Sequence, residues 1–429
     1  MKTKQKTLGF IGALAIVVGM IIGSGIFLKS SVVLASAGTQ WAALAAWIAG
    51  GVITLASALS IAEVASAVPR TGGLYTYLEE LYGEPVGFLL GWVQTIISYP
   101  ASVAAQAIAF ATYANIFVPM EGWQQTCLGI SVLAFLLLMN ILSTKFGGVI
   151  QTVATVGKLI PIIAIMGFGI LGAGSLHFSS TETATVTGFG AAILGTLWAY
   201  DGWIGVTNMA GELKDPGKSL PRVICGGIVF VIAVYAIFNL VIFKVLPYET
   251  IATSATPGAE AAVALFGERG AAFITAGIMI SVFGSLNGYL MTAARVPFAM
   301  GQKKQLPFAR ILGALHSKFE TPANALMLES LLAVVYTLTG SFNMLTDILV
   351  FVLWIFFTMG VVGVILMRKK HPHLQGSYKV PLYPIVPIVG IAGSVYIIIS
   401  TVVSTPAYSL IGIGLTLIGL PVYWYQKKQ

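Results

Sequence analysis

Charge is scarce in this 429-residue sequence: Asp, Glu, Lys and Arg make up 9% of it, against about 25% in a soluble domain. With 57% hydrophobic residues, the expected class is a polytopic membrane protein. Cysteine is nearly missing, and Cys127 and Cys225 cannot build a disulfide framework. The four histidines, His177, His316, His371 and His373, fall in connecting segments, which argues against a metal centre or proton relay. No G-x-x-x-x-G-K-[ST] sequence occurs, which excludes a nucleotide-driven pump of that type. An enzyme would gather His, Cys, Asp or Glu inside the membrane, yet only Asp201 and Lys158 lie deep. No cofactor is implied. The net charge of +8 would suggest nucleic acid for a soluble chain; here a basic bias of the loops explains it, and the partner is the lipid bilayer. Lys2, Lys4 and Lys6 precede an apolar run too long for a signal sequence, so no cleavable leader is expected.

What is abundant is apolar sequence. Runs at roughly 9–35, 41–66, 86–118, 125–142, 148–172, 188–211, 222–246, 262–299, 322–340, 344–367, 382–404 and 407–425 predict twelve membrane helices, numbered here spans 1 to 12. Alternate connections carry the basic residues: Lys2, Lys4, Lys6, Arg70, Lys145, Lys214, Lys218, Arg222, Arg295, Lys303, Lys304, Arg310, Lys318, Arg368, Lys369, Lys370, Lys379, Lys427 and Lys428. The other set offers little beyond Lys244 and Arg269. Both termini are therefore expected in the cytoplasm.

Two runs are interrupted near mid-depth. One contains Gly19-Met-Ile-Ile-Gly-Ser24-Gly25-Ile-Phe27 in span 1; the other contains Trp198-Ala-Tyr200-Asp201-Gly202-Trp203 in span 6. Glycine loosens a helix, and unwound backbone survives inside a membrane where it lines a cavity. Five spans is an odd number, so a repeat of five returns inverted, and breaks at matching positions point to a transporter with a midplane site. The predicted arrangement is an all-α 5+5 inverted repeat in a single domain: 9–172, then 188–367, with spans 11 and 12 (382–425) outside it.

The breaks suggest a zwitterion as ligand. The half-helix after the first break starts with unpaired N–H groups, which favour a carboxylate at Ser24, Gly25 and Ile26. Carbonyls around Ile21, joined by those from Trp198, Tyr200 and Asp201, suit an ammonium group. An α-amino acid satisfies both ends. A Gly-Ser-Gly packing face is the alternative for one break alone, and the matched second break weighs against it. Tyr200, Gly202 and Trp203, with Trp198, are the expected gate and side-chain pocket.

These motifs, with Pro69-Arg-Thr-Gly-Gly-Leu-Tyr75 and Glu212-Leu-Lys-Asp-Pro216, resemble the amino acid–polyamine–organocation superfamily, in its L-amino acid transporter branch. The resemblance covers essentially the whole chain. It implies a LeuT-like fold and sodium-independent exchange of small neutral L-amino acids such as alanine, serine and cysteine, without an obligatory ancillary subunit. Cys127 is then expected to be an inert membrane cysteine. A proton-coupled symporter of amino acids or polyamines with the same fold is the alternative.

Lys158 lies mid-way along span 5, where an ammonium group is costly and usually functional. Sodium-coupled relatives place an ion between spans 1 and 8, and Lys158 is expected to replace its charge, with Ser281 or Ser285 as neighbours. A permanently charged Lys158 implies exchange; a titrating one implies proton coupling. Tyr235 of span 7 is expected to bond the unwound backbone. Asp201 is expected to cap a half-helix, Glu63 and Glu329 to form ion pairs near the inner face, and Lys29, about one turn after the first break, to point to the outer side of the membrane. The His371-Pro-His373 connection, among Arg368, Lys369 and Lys370, is expected to face anionic lipid.

Overall fold

The structure, a computed structural model, describes residues 10–68, 73–142, 154, 157–172, 186–212, 216–374 and 376–428. Among the described residues there is no strand. Lys2, Lys4, Lys6, Arg70, Lys145, His177, Lys214 and the middle of the 211–222 loop lie outside them.

Among the described residues, eight helices are long and apolar enough to cross a membrane: Gln40–Ala67, Glu84–Ala114, Gly122–Leu142, Lys218–Val245, Pro257–Gln302, Phe342–Lys370, Ile385–Ser404 and Pro406–Lys427. They fall on expected spans 2, 3, 4, 7, 8, 10, 11 and 12. Shorter apolar helices, Gly25–Ala37, Leu159–Leu171, Gly188–Ala199 and Ala323–Thr339, fall on spans 1, 5, 6 and 9. Two of these are short because the spans holding them are broken.

Local chemistry fixes the ends. Thr39 accepts from the Ala42 N–H to start span 2, and Ser341 accepts from the Met344 N–H to start span 10. Gly38, at φ 78°, takes the left-handed turn that ends span 1. Span 3 carries a π-helical segment, Gln94–Ser98, which hydropathy does not reveal.

Burial ranks the spans. In the most apolar stretches of spans 3 and 10, 78% and 72% of residues are buried, against 22% in spans 4 and 12. Spans 3 and 10 therefore run through the bundle, and spans 4 and 12 flank it. Span 7 packs along span 2, span 8 along span 3, and the first half of span 6 along the second half of span 1.

The helix Leu74–Tyr82 follows span 2 and buries Leu74, Tyr77, Leu78 and Leu81. At the same, basic end of the bundle, Glu63 takes a bidentate pair from Arg368 (2.8 and 2.7 Å) and a third bond from the Val380 N–H at 2.6 Å. Ser66 donates to the Tyr378 carbonyl, so the connection between spans 10 and 11 is strapped to the end of span 2. Lys303 pairs with Glu79 at 2.7 Å.

Glu63 is thus in an ion pair, as expected. Glu329 corrects the parallel expectation: it is fully buried in span 9 and, among the described residues, neither carboxylate oxygen has a partner. Lys29 is fully buried and reaches the start of span 10, bonded to Asn343 at 3.1 Å and Asp347 at 3.2 Å. Its ammonium lies over the Phe342 ring, so apolar stem and charged head are both accommodated.

Candidate functional site: two interrupted helices

Span 1 is two helices, Phe10–Ile21 and Gly25–Ala37. The first closes with Ile22 N–H donating to Val18 O; the second opens with Phe27 and Leu28 N–H donating to Ser24 O. Among the described residues no acceptor faces the N–H groups of Gly23, Ser24, Gly25 or Ile26. The Ser24 hydroxyl is fully buried and has no partner either. Four amides and a hydroxyl at the positive end of a helix favour an anion.

The carbonyl side of the break is treated differently. Lys158, 1% exposed, donates to Gly19 O and, at 2.8 Å, to Ile22 O. Its position at the start of helix Leu159–Leu171 aims the ammonium at the end of the first half-helix. A cation on a helix C-terminus complements the dipole there. Ser281 and Ser285 are not its partners: both hydroxyls are buried and, among the described residues, have no hydrogen-bond partner. Span 8 does close on span 5, at Gly284 against Ala154, but the lysine reaches the main chain of span 1 instead.

Span 6 stops at Ala199, turns over 200–202 and resumes as a 3-10 helix, Trp203–Glu212. The turn needs Gly202, at φ +104°. The two breaks dock on each other. A Cβ at Gly202 would stand 3.0 Å from the Met20 carbonyl, and one at Gly25 would stand 2.6 Å from Ala199 Cα. Gly25 is therefore required by span 6; a side chain there would run into Ala199 before it reached a ligand.

Tyr235 stands between the broken ends. Its hydroxyl lies 3.0 Å from Ile21 O and 2.7 Å from Ala199 O. A phenol has one proton to donate, so at any moment one of the two carbonyls has acceptor capacity left.

The aromatic residues divide by role. Tyr200 turns toward span 2: its hydroxyl donates to Trp47 O at 3.0 Å and its ring meets Trp47 and Tyr235. Trp203 packs on Phe357 of span 10, within the core. Trp198 stacks on Tyr289 of span 8, 6.1 Å between centroids and 15° between planes, and meets Phe342 edge-on. Tyr289 donates to Asp201 Oδ2 at 3.0 Å, so the carboxylate ties the second break to span 8.

Gln106 and Tyr289 were not singled out by the sequence reading. A Cβ at Gly23 would lie 2.8 Å from Ser285 Oγ and 3.4 Å from Gln106 Nε2. A primary amide amid Ala101–Ala111 was the available signal, because such a group is costly in a membrane helix.

The amino acid permease family profile matches residues 8–420. The serine/threonine exchanger SteT of Bacillus subtilis is 43% identical over 99% of this chain and 98% of its own length. The b(0,+)-type amino acid transporter 1 of Mus musculus is 30% identical, covering 94% of this chain and 84% of its own. The large neutral amino acids transporter small subunit 2 of Mus musculus is 31% identical, covering 98% and 81%. Matched along almost its whole length, the chain belongs to the amino acid permease family, whose members are membrane transporters and not enzymes.

Proposed function

We propose that this protein exchanges small neutral L-amino acids such as alanine, serine and cysteine across the cell membrane, without sodium, by alternating access. The observation that carries the reading is the division of labour at the span 1 break. Lys158 occupies the carbonyls of Gly19 and Ile22, while the amides from Gly23 to Ile26 remain open. A fixed ammonium already supplies the positive charge that a bound sodium ion would bring. The open amides take the substrate carboxylate, with the Ser24 hydroxyl beside them. Whichever of Ile21 O and Ala199 O the Tyr235 proton leaves free takes the ammonium, and Trp198 against Tyr289 covers the site.

Exchange follows from the same feature. Buried unpaired amides are costly, so a conformational change with the seat empty carries a penalty that bound substrate removes. The loaded carrier then crosses more readily than the empty one. The names of the relatives support the substrate class: one is a serine/threonine exchanger, another an Asc-type amino acid transporter.

The two five-helix repeats (9–172 and 188–367) and spans 11 and 12 (382–425) belong to this reading, which the reciprocal docking of the breaks supports. So do cytoplasmic termini, supported by the basic connections. The protein is proposed to act as a single polypeptide; Cys127 carries a free, exposed thiol.

The experiment is uptake of labelled L-serine into proteoliposomes, loaded with amino acid or empty, with sodium and pH gradients varied. Uptake confined to loaded vesicles and indifferent to sodium is expected. Robust uptake into empty vesicles driven by a pH gradient would replace exchange with proton-coupled symport, and Lys158 would be its titrating group.

A further inference from the structure

The connection between spans 10 and 11 closes over a cavity of about 160 Å³, too large for a single water to fill. Glu63, Arg368, Leu374, Gly376 and Lys379 are among the residues that line it. Its walls are held in place. Arg368 and the Val380 N–H are fixed on Glu63, and Ser66 donates to Tyr378 O. Gly376 presses so closely on span 2 that a Cβ there would stand 2.7 Å from the Ala67 nitrogen. The charge of the walls is one-sided. Glu63 is the one carboxylate of the lining, and it is taken up by Arg368 Nε and Nη2. A guanidinium has five N–H donors, so the two on Nη1 stay available. Lys379 is exposed, as are Lys369 and Lys370 at the end of span 10, and none of the three has an acidic partner among the described residues. Just beyond Lys379 the surface turns apolar: Leu382, Ile385 and Ile388 are 73%, 61% and 54% exposed. The Tyr383 ring lies 3.9 Å from the Arg368 guanidinium and brings that surface to the edge of the cavity.

We propose that this cavity holds the phosphate of an anionic glycerophospholipid. A phosphodiester spreads one negative charge over two non-bridging oxygens, and Arg368 Nη1 and the Lys379 ammonium are the donors for them. The acyl chains then leave along Leu382, Ile385 and Ile388. Lys369 and Lys370 favour a headgroup of net negative charge over one that carries its own ammonium, which they repel. Free phosphate matches the donors but not the apolar exit. A basic connection is drawn to an anionic membrane in any case, but that attraction is spread over the surface and needs no cavity. The cavity singles out one molecule. The inference does not rest on the transport reading above.

The test is lipid binding to the purified, delipidated protein, followed by native mass spectrometry with phosphatidylglycerol, phosphatidylcholine or inorganic phosphate added. Phosphatidylglycerol is expected to bind more tightly than phosphatidylcholine, and Lys379→Ala to weaken it about fivefold, the worth of one cation at a membrane surface. Lys318→Ala, which removes a cation from the connection between spans 8 and 9, is expected to leave the affinity unchanged. Equal weakening by the two variants overturns the proposal, because general surface attraction would then account for the binding. Inorganic phosphate that binds as tightly as phosphatidylglycerol also overturns it, by assigning the cavity to a free anion. Equal affinity of the unaltered protein for the two lipids does so without any variant, and that comparison decides should Lys379→Ala fail to fold.

Discussion

Gly25 and Ala199 meet where the two interrupted spans cross, close enough that a Cβ on Gly25 would lie 2.6 Å from the Ala199 Cα and 2.8 Å from its Cβ. The obstacle is main chain as much as side chain. Gly25→Ala is therefore expected to force the half-helices apart at a cost of about 1–3 kcal/mol, with a lower melting temperature and a marked loss of exchange. Adding Ala199→Gly removes one methyl but not the Cα, so it is expected to restore little. Full recovery in the double variant would show that the helices meet elsewhere.

Lys158→Ala takes two charge-assisted hydrogen bonds from the Gly19 and Ile22 carbonyls, each worth about 1.5–3 kcal/mol. Exchange is expected to fall by about tenfold or more, and Lys158→Met is expected to behave alike, because the lost charge matters more than the lost stem. Near-normal flux for either variant in reconstituted vesicles would remove the lysine from the mechanism.

The pair of fully buried Lys29 with half-buried Asp347 holds the second half of span 1 to span 10. Asp347→Leu leaves a buried ammonium with only Asn343 and a ring face, which is more damaging than losing both charges. The single variant is expected to melt below Lys29→Met/Asp347→Leu. Thermal unfolding of the purified protein in detergent checks the order, and the reverse order would mean that the pair contributes nothing.

Two buried glutamates invite opposite expectations. Glu63→Gln weakens a bidentate guanidinium pair and its accompanying Val380 bond, so a drop in melting temperature is expected. Glu329→Leu removes a carboxyl with no partner among the described residues and is expected to match or exceed the unaltered protein in stability. A destabilised Glu329→Leu would show that the carboxyl holds a partner.

The breaks were legible because they are local: glycines and a serine interrupting an apolar run, then Ala-Tyr-Asp-Gly doing the same. Their limits shifted little, to 22–24 and 200–202. Lys158 was legible for a related reason, since charge within an apolar run stands out. What it bonds was not. The sequence suggested a place between span 1 and the hydroxyls of span 8, and the structure gives carbonyls of span 1 alone, because the reach of a lysine depends on how spans 1, 5 and 8 pack. The same holds for Lys29, whose partner Asp347 lies 318 residues away. Glu329 lies near the inner end of its span in the sequence, but that position says nothing about which face the helix turns inward.

The ends of span 10 are fastened unequally. Near Arg368 the attachment is planar and bidentate, and it is reinforced through the strapped connection at Val380 and Tyr378. Near Asp347 it is one flexible lysine on two neighbouring oxygens. The Asp347 end is therefore the more weakly attached of the two. Parting that end exposes one ammonium and the two oxygens it bonds, whereas parting the other must break a fork of bonds held by the main chain as well.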